Sequence, residues 1–157
     1  MNTARIVHAA TPAQLETVRV LFREYAESTG ACECFEGFAE ELAGLPGRYA
    51  PPNGRLLIAE VDSKPAGCVA LRKLAEGVCE IKRLYTRPEF RGRKLGRLLA
   101  ATAIGEARRT GYHVMRLDTL SSMTAALALY RTLGFQTIAR YDDNPNANAI
   151  HLELALT

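Results

Sequence analysis

The spacing of apolar residues changes several times along the chain, and each change marks an element. "ARIVHAA" (4–10) reads as a first strand. Leu15, Val18, Leu21, Phe22 and Tyr25 then recur at helical spacing, predicting a helix to about residue 28. Thr11-Pro12 opens it, a hydroxyl cap followed by a proline at the first helical position. A short second helix is expected at 35–44, ended by glycines and Pro46. "GRLLIAEV" (54–61), a turn at "DSKP" and "AGCVALRKL" (66–74) form an antiparallel hairpin, and "GVCEIKRLYT" (77–86) continues the series. Leu95, Leu98, Leu99, Ala103 and Ala107 share one face of a helix beginning near 93 and ending at Gly111. "YHVMRLDTL" (112–120) returns as a strand. Ser121 or Ser122 caps a further helix, "MTAALALYRTL", which stops at Gly134, and "FQTIARY" follows. The alternating "AIHLELAL" (149–156) closes the chain. Strands joined first by hairpins and later by helices describe an α/β sheet of mixed direction.

Composition narrows the class. The 157 residues fit one domain, 1–157, with no repeat or linker to divide them. The chain is 48% hydrophobic and 24% charged, a globular balance. No apolar run approaches the roughly 18 residues of a membrane span, and the N-terminus lacks a basic segment leading into an apolar one. Of Cys32, Cys34, Cys68 and Cys79, the last two sit in apolar strands, and Cys32-x-Cys34 has no second ligand pair nearby. The expectation is a reduced, soluble, cytoplasmic protein with no metal and no membrane partner.

Charge is unevenly distributed. Lys82 to Arg97 holds seven cations against Glu89 alone, so this stretch carries +6 and the rest of a +3 chain carries −3. A nucleic-acid binder spreads positive charge over an extended face. One basic locus on a mildly acidic chain points instead to a compact anionic ligand, with no nucleic acid as partner. The locus lies where a strand turns into a helix, and a helix N-terminus offers free N–H groups and the positive end of the helix dipole. "FRGRKLGRLL" (90–99) has neither the P-loop nor the dinucleotide glycine pattern. Taken alone, it equally describes a solvated helix start.

Its surroundings decide more. "RGRKLG" after "KRLYTRPEF", with "AALALYRTLGF" about 30 residues on, resembles the GNAT superfamily of N-acetyltransferases. Arg91, Gly92, Arg93, Lys94, Leu95 and Gly96 occupy the family's Arg/Gln-x-x-Gly-x-Gly/Ala motif, with Lys94 where its first glycine usually stands. The resemblance implies a GNAT-type, mostly antiparallel sheet of about seven strands flanked by about four helices. It also implies acetyl-CoA as co-substrate. The backbone of about Arg93 to Arg97 would hold the pyrophosphate, and main-chain groups of Leu84 and Thr86 would pair with the pantetheine arm. The lysine in a glycine position predicts a cradle that tolerates a side chain there without left-handed strain.

Transfer of an acetyl group from a thioester to an amine makes three demands. The amine, with a pKa of about 10, must lose a proton; the oxyanion needs donors; the thiolate needs a proton. By resemblance Tyr130, placed before Gly134-Phe135, is the general acid, although its place on the Met123, Ala126, Leu127 face equally describes a core tyrosine. Met123 stands where the family often has Asn. By resemblance the base is Glu80 or a water relay, and the alternative for Glu80 is an exposed Glu80–Lys82 pair. Strict alternation puts Glu80, Lys82, Leu84 and Thr86 on one face, opposite Cys79, Ile81, Arg83 and Tyr85. The oxyanion donor would be a main-chain N–H near Leu84 or Tyr85.

The acceptor, a small-molecule or peptide amine, is less defined. Glu33, Glu36, Glu40, Glu41, Asp142 and Asp143 would suit a cation, and equally suit a solvated surface. His8, His113 and His151 are expected to be packed or solvent-facing. The competing reading is a non-catalytic acyl-CoA-binding sensor or partner module. Assembly stays open between monomer and homodimer.

Overall fold

A computed structural model describes residues 3–29, 37–144 and 146–157. Seven strands form one sheet: β1 (Ala4–His8), β2 (Arg55–Val61), β3 (Lys64–Ala75), β4 (Val78–Thr86), β5 (Val114–Leu120), β6 (Gln136–Ile138) and β7 (Ala149–Ala155). Four α-helices accompany them: α1 (Pro12–Thr29), α2 (Phe38–Ala43), α3 (Leu95–Thr110) and α4 (Thr124–Thr132). The strand order is β1-β2-β3-β4-β5-β7-β6, antiparallel throughout except between β4 and β5. The element order expected from the sequence is therefore the one found.

Local chemistry explains most of the boundaries. Thr11 Oγ1 accepts the Gln14 N–H, while Gln14 Oε1 accepts the N–H groups of Ala10 and Thr11, a reciprocal box that starts α1. Asp62 and Ser63, both at positive φ, turn β2 into β3 in two residues, tighter than the four-residue turn expected. No serine caps α4. Met123 donates its N–H to the Leu120 carbonyl at 2.9 Å, and this tight turn leaves Ser121 and Ser122 exposed, so the helix begins at Thr124. β6 is shorter than "FQTIARY", because pairing with β7 ends at Ile138.

The two halves of the sheet are covered differently. On one face, Leu57, Leu71, Ile81, Met115, Leu117 and Leu152 pack under Leu99 and Ala103 of α3 and Leu127 and Tyr130 of α4. On the other, Leu56, Ile58, Cys68, Ala70 and Tyr85 pack under Val18, Leu21 and Phe22 of α1. That second apolar cluster takes nothing from β5 or β7. There the residues facing that side are polar or charged instead: Arg116, Asp118, His151 and Glu153. Cys68 and Cys79 are buried free thiols, as the strand pattern indicated.

Candidate active site

Two departures from regular β structure shape the site. The first is a bulge in β4. Cys68 pairs with Tyr85 and Ala70 with Lys82, so Val69 alone faces both Arg83 and Leu84. Arg83 takes the extra turn at φ 61°, a left-handed conformation that costs a side chain about 1–2 kcal/mol. A forked pair to Glu41 of α2, at 3.1 and 2.9 Å, and the Phe38 ring 5.4 Å away hold it there. Gly67 lets β3 follow closely, since a Cβ there would stand 2.4 Å from the Tyr85 carbonyl oxygen.

The bulge overturns the simple alternation. Tyr85 joins the cluster under α1, whereas Ile81 and Leu84 join the one under α3. Thr86 approaches Gly96 at the start of α3. Glu80 and Lys82 therefore lie on the face opposite Leu84 and Thr86, because one extra residue reverses every side chain beyond it.

The second departure is a parting of strands. β4 and β5 pair only at Val78–Val114, Cys79–Met115 and Glu80–Arg116. Beyond this ladder the strands separate and clefts open. A larger cleft of about 560 Å³ runs between the end of β4 and α4, lined by Leu84, Tyr85, Thr86, Arg91, Gly96 and Leu129 among others. A smaller cavity of about 50 Å³ lies deeper, between Lys82 and Leu84 of β4, Asp118 and Thr119 of β5, and Tyr130 of α4.

The basic turn borders the larger cleft. Gly92 has φ 84° and Lys94 φ 61°, ψ 26°, immediately before the first turn of α3. The expectation of a relaxed lysine is thus corrected: Lys94 occupies the left-handed conformation that the glycine of the motif would adopt more cheaply. The cationic side chains spread around the turn. Arg91 Nε donates to the Thr86 carbonyl at 3.3 Å, Arg93 lies over the Phe90 ring at 5.5 Å, and Arg97 Nη1 donates to Thr132 Oγ1 at 3.2 Å. Leu95 is buried against Val61 and Ala66, which fixes where α3 begins. The N–H groups of Leu95, Gly96 and Arg97, in the first turn, have no carbonyl four residues back within the helix. Cleft, cradle and cations together fit a ligand with phosphates at one end and a long, narrow arm.

On the acid side, Tyr130 is buried, packs edge-on against Phe135 at 5.5 Å, and lines the smaller cavity. Burial raises its phenol pKa well above the ordinary value, with smaller pushes from Tyr25 and Asp118, so it stays protonated. Glu80 is 1% exposed and its oxygens are taken: Arg72 meets Oε1 through Nε and Nη2 at 2.8 and 2.7 Å, and Tyr141 donates to Oε2 at 2.6 Å. Among the described residues, those lining the two clefts do not include Glu80.

The carboxylate at the cavity is Asp118, which sequence reasoning did not single out. Its Oδ2 accepts from Asn144 Nδ2 at 2.7 Å, and Lys82 Nζ lies 3.5 Å from Oδ1. Burial pushes its pKa up, but Lys82, Asn144, Asp142 and His151 outweigh that and lower it below the ordinary 3.8. His151, 4% exposed, is held to Asp142 at 2.7 Å. Asp118, Asp142 and His151 bring ligand atoms within 4.8 Å of one another, but Asn144 and Lys82 direct donors into that cluster, as suits a charge network more than a cation cage. His8 and His113 are exposed. Of the acidic acceptor residues expected, Glu41 is spent on Arg83, Asp142 on His151, Glu40 and Asp143 are exposed, and Glu33 and Glu36 lie outside the described residues.

The family model of the Acetyltransferase (GNAT) family matches residues 17–135, a span that contains both the cradle and Tyr130. The chain belongs to the GNAT family. An uncharacterised N-acetyltransferase of Schizosaccharomyces pombe is 38% identical over 148 residues, covering 93% of this chain and 91% of its own length. Among solved structures, a Klebsiella pneumoniae putative acyl-CoA N-acyltransferase superposes with a TM-score of 0.73 at 25% identity, covering 100% and 99% of the two chains. The PaiA N-acetyltransferase of Thermoplasma acidophilum, solved with coenzyme A, shares the fold with a TM-score of 0.78 at 21% identity, covering 98% and 99%. As a GNAT protein the chain is an acyltransferase. No helix among the described residues is long and apolar enough to cross a membrane.

Proposed function

We propose that this GNAT protein transfers an acetyl group from acetyl-CoA to the primary amine of a small molecule or peptide, by direct attack of the amine on the thioester. The observation that carries the proposal is the parting of β4 and β5, beside which lie two adjoining clefts that share Tyr25, Thr29, Leu84 and Met123, one bordered by the basic helix start and the other lined by a buried, protonated tyrosine. The S. pombe relative, named an N-acetyltransferase and aligned over most of both chains, supports the same reading.

The chain's own groups divide the work. Backbone N–H groups of Leu95, Gly96 and Arg97, with Arg91, Arg93 and Lys94 around them, hold the pyrophosphate. The free edge of β4 at Leu84 to Thr86 pairs with the pantetheine arm. The thioester supplies an activated acetyl carbonyl. The acceptor ammonium first releases one proton to solvent; as the neutral nitrogen bonds to the acetyl carbon, its second proton passes through Asp118 to solvent, and the carbon–sulfur bond breaks with its electron pair going to sulfur. Tyr130 gives that sulfur its phenolic proton and is reprotonated from solvent. The ammonium thus loses two protons, one balanced by the thiol and one released. Glu80, expected as the base, takes a different part in this reading: bound by Arg72 and Tyr141, it ties β4, on which Lys82 stands, to β3 and to the segment after β6.

The test is thiol release from acetyl-CoA across polyamines, amino acids, aminoglycosides and short peptides. Transfer to at least one amine, reduced about 100-fold in kcat by Tyr130→Phe, is the expected result. Thermal stabilisation by acetyl-CoA without transfer to any amine would overturn it.

A further inference from the structure

Lys82 and Asp118 are the only charged pair lining the smaller cavity with both partners on its wall, among the described residues. Lys82 enters from β4 and Asp118 from β5, at the level where the strands have parted. Their contact is loose, 3.5 Å, against 2.7 Å for Arg72–Glu80 and 2.8 Å for Arg116–Glu153 one step back along the same strands. Arg83, also on the wall, is committed to Glu41 by two hydrogen bonds. Asn144 and Thr119 add neutral polar groups, and Tyr130 closes the far side.

Such a cavity selects on charge. A simple ammonium drawn to Asp118 meets the like charge of Lys82 a few ångströms away and is repelled by it. An anion drawn to Lys82 meets Asp118 in the same way. A guest that carries both charges a few ångströms apart satisfies both and leaves neither protein group unpaired, which in a half-buried site matters more than the attraction itself. The cavity adjoins the larger cleft, with which it shares Tyr25, Thr29, Leu84 and Met123.

On the basis of the proposed acetyl transfer, we infer that Lys82 and Asp118 form a charge clamp for a small zwitterionic acceptor, an amino acid. Its ammonium meets Asp118 and its carboxylate meets Lys82. Asp118 and Tyr130 line one cavity, so the nitrogen held by the first sits on the side of the acid that protonates the leaving sulfur. Asp142 and His151 position the clamp. Their 2.7 Å contact anchors the loop that carries Asn144, which in turn orients Asp118.

The test compares L-amino acids with their decarboxylated amines and their amides, by thiol release from acetyl-CoA on the intact protein. At least one amino acid is expected to exceed its own amine and amide by 30-fold or more in kcat/KM. This comparison needs no variant and so is immune to misfolding. Lys82→Met should bring the ratio to within threefold of one, and Asp118→Asn should lower kcat/KM for the amino acid by 100-fold or more. Lys64→Met, on the exposed β2–β3 turn, should keep the ratio. Equal use of amines, amides and amino acids, or an unchanged ratio in Lys82→Met, overturns the clamp and leaves acetyl transfer standing. Stabilisation by acetyl-CoA with no transfer to any amine overturns both.

Discussion

Two rows of charge cross the same face of the sheet, one step apart along the strands. The first runs Arg72, Glu80, Arg116, Glu153, each in register with the next; Arg72–Glu80 and Arg116–Glu153 close at 2.7 and 2.8 Å. The second runs Lys82, Asp118, His151, and its Lys82–Asp118 contact is open at 3.5 Å. Residue types are alike in the two rows; what differs is the backbone beneath them. Where β4 and β5 are paired, opposite charges meet and are spent on the fold. Where the strands part, the same kinds of residue border a cleft, and the proposed acceptor site lies there.

The strongest way to break this contrast is to unpair the closed row. Glu80→Gln leaves Arg72 without its counter-charge, and loss of one partner of a buried pair costs about 3 kcal/mol or more. In a domain of this size that lowers Tm by about 6–12 °C in a thermal melt. Arg72→Met with Glu80→Met removes both charges and should recover part of the loss. Next in size is Tyr130→Phe, expected to cost about 100-fold in kcat while acetyl-CoA still stabilises the protein in a thermal shift assay. An unchanged kcat would remove the acid from the open side.

A smaller effect lies in acid. The folded pKa of Asp118 is lowered, so its contribution to stability is present above its ordinary value near 3.8 and is lost as pH falls through the lower folded value. Asp118→Asn should flatten the loss of stability below pH 4 by at most about 1.4 kcal/mol per pH unit, read by denaturant melts. Lys82, Asn144, Asp142 and His151 all face this carboxyl, so Lys82→Met should remove part of the same limb. The smallest effect is at the cradle. Lys94→Gly relieves left-handed strain but gives the unfolded chain more freedom, so stability should stay within about 1 kcal/mol. The KM for acetyl-CoA should rise by about two- to fivefold as a phosphate-facing cation is lost.

The elements were legible because their signals are local: helical spacing, the Thr11-Pro12 helix start, a turn signal after Val61, a glycine-punctuated basic run where α3 begins. The family resemblance lay in the same kind of signal, two motifs about 30 residues apart. The features that organise the acceptor side are not local. Nothing in "IKRLY" announces that Arg83 adopts a left-handed conformation, since the cause is Glu41 and Phe38 on a different element. Alternation therefore predicted the wrong partners for Glu80 and Lys82. The length of the β4–β5 ladder depends on how two strands separated by α3 diverge. Tyr141 reaches Glu80 across 61 residues, and Asn144 reaches Asp118 across 26, by way of a loop whose Asp/Asn/Pro composition reads only as a turn.

The division between a closed row that holds the fold and an open row that serves the substrate is tested most directly by one crossed measurement. Tm and kcat/KM are determined together for Glu80→Gln and Asp118→Asn, with activity assayed well below both melting points. The account predicts that Glu80→Gln loses several degrees of Tm and keeps at least a third of kcat/KM, while Asp118→Asn loses less Tm than Glu80→Gln does and loses 100-fold or more in kcat/KM. The reverse pattern, a stable but inactive Glu80→Gln beside an active Asp118→Asn, would contradict it.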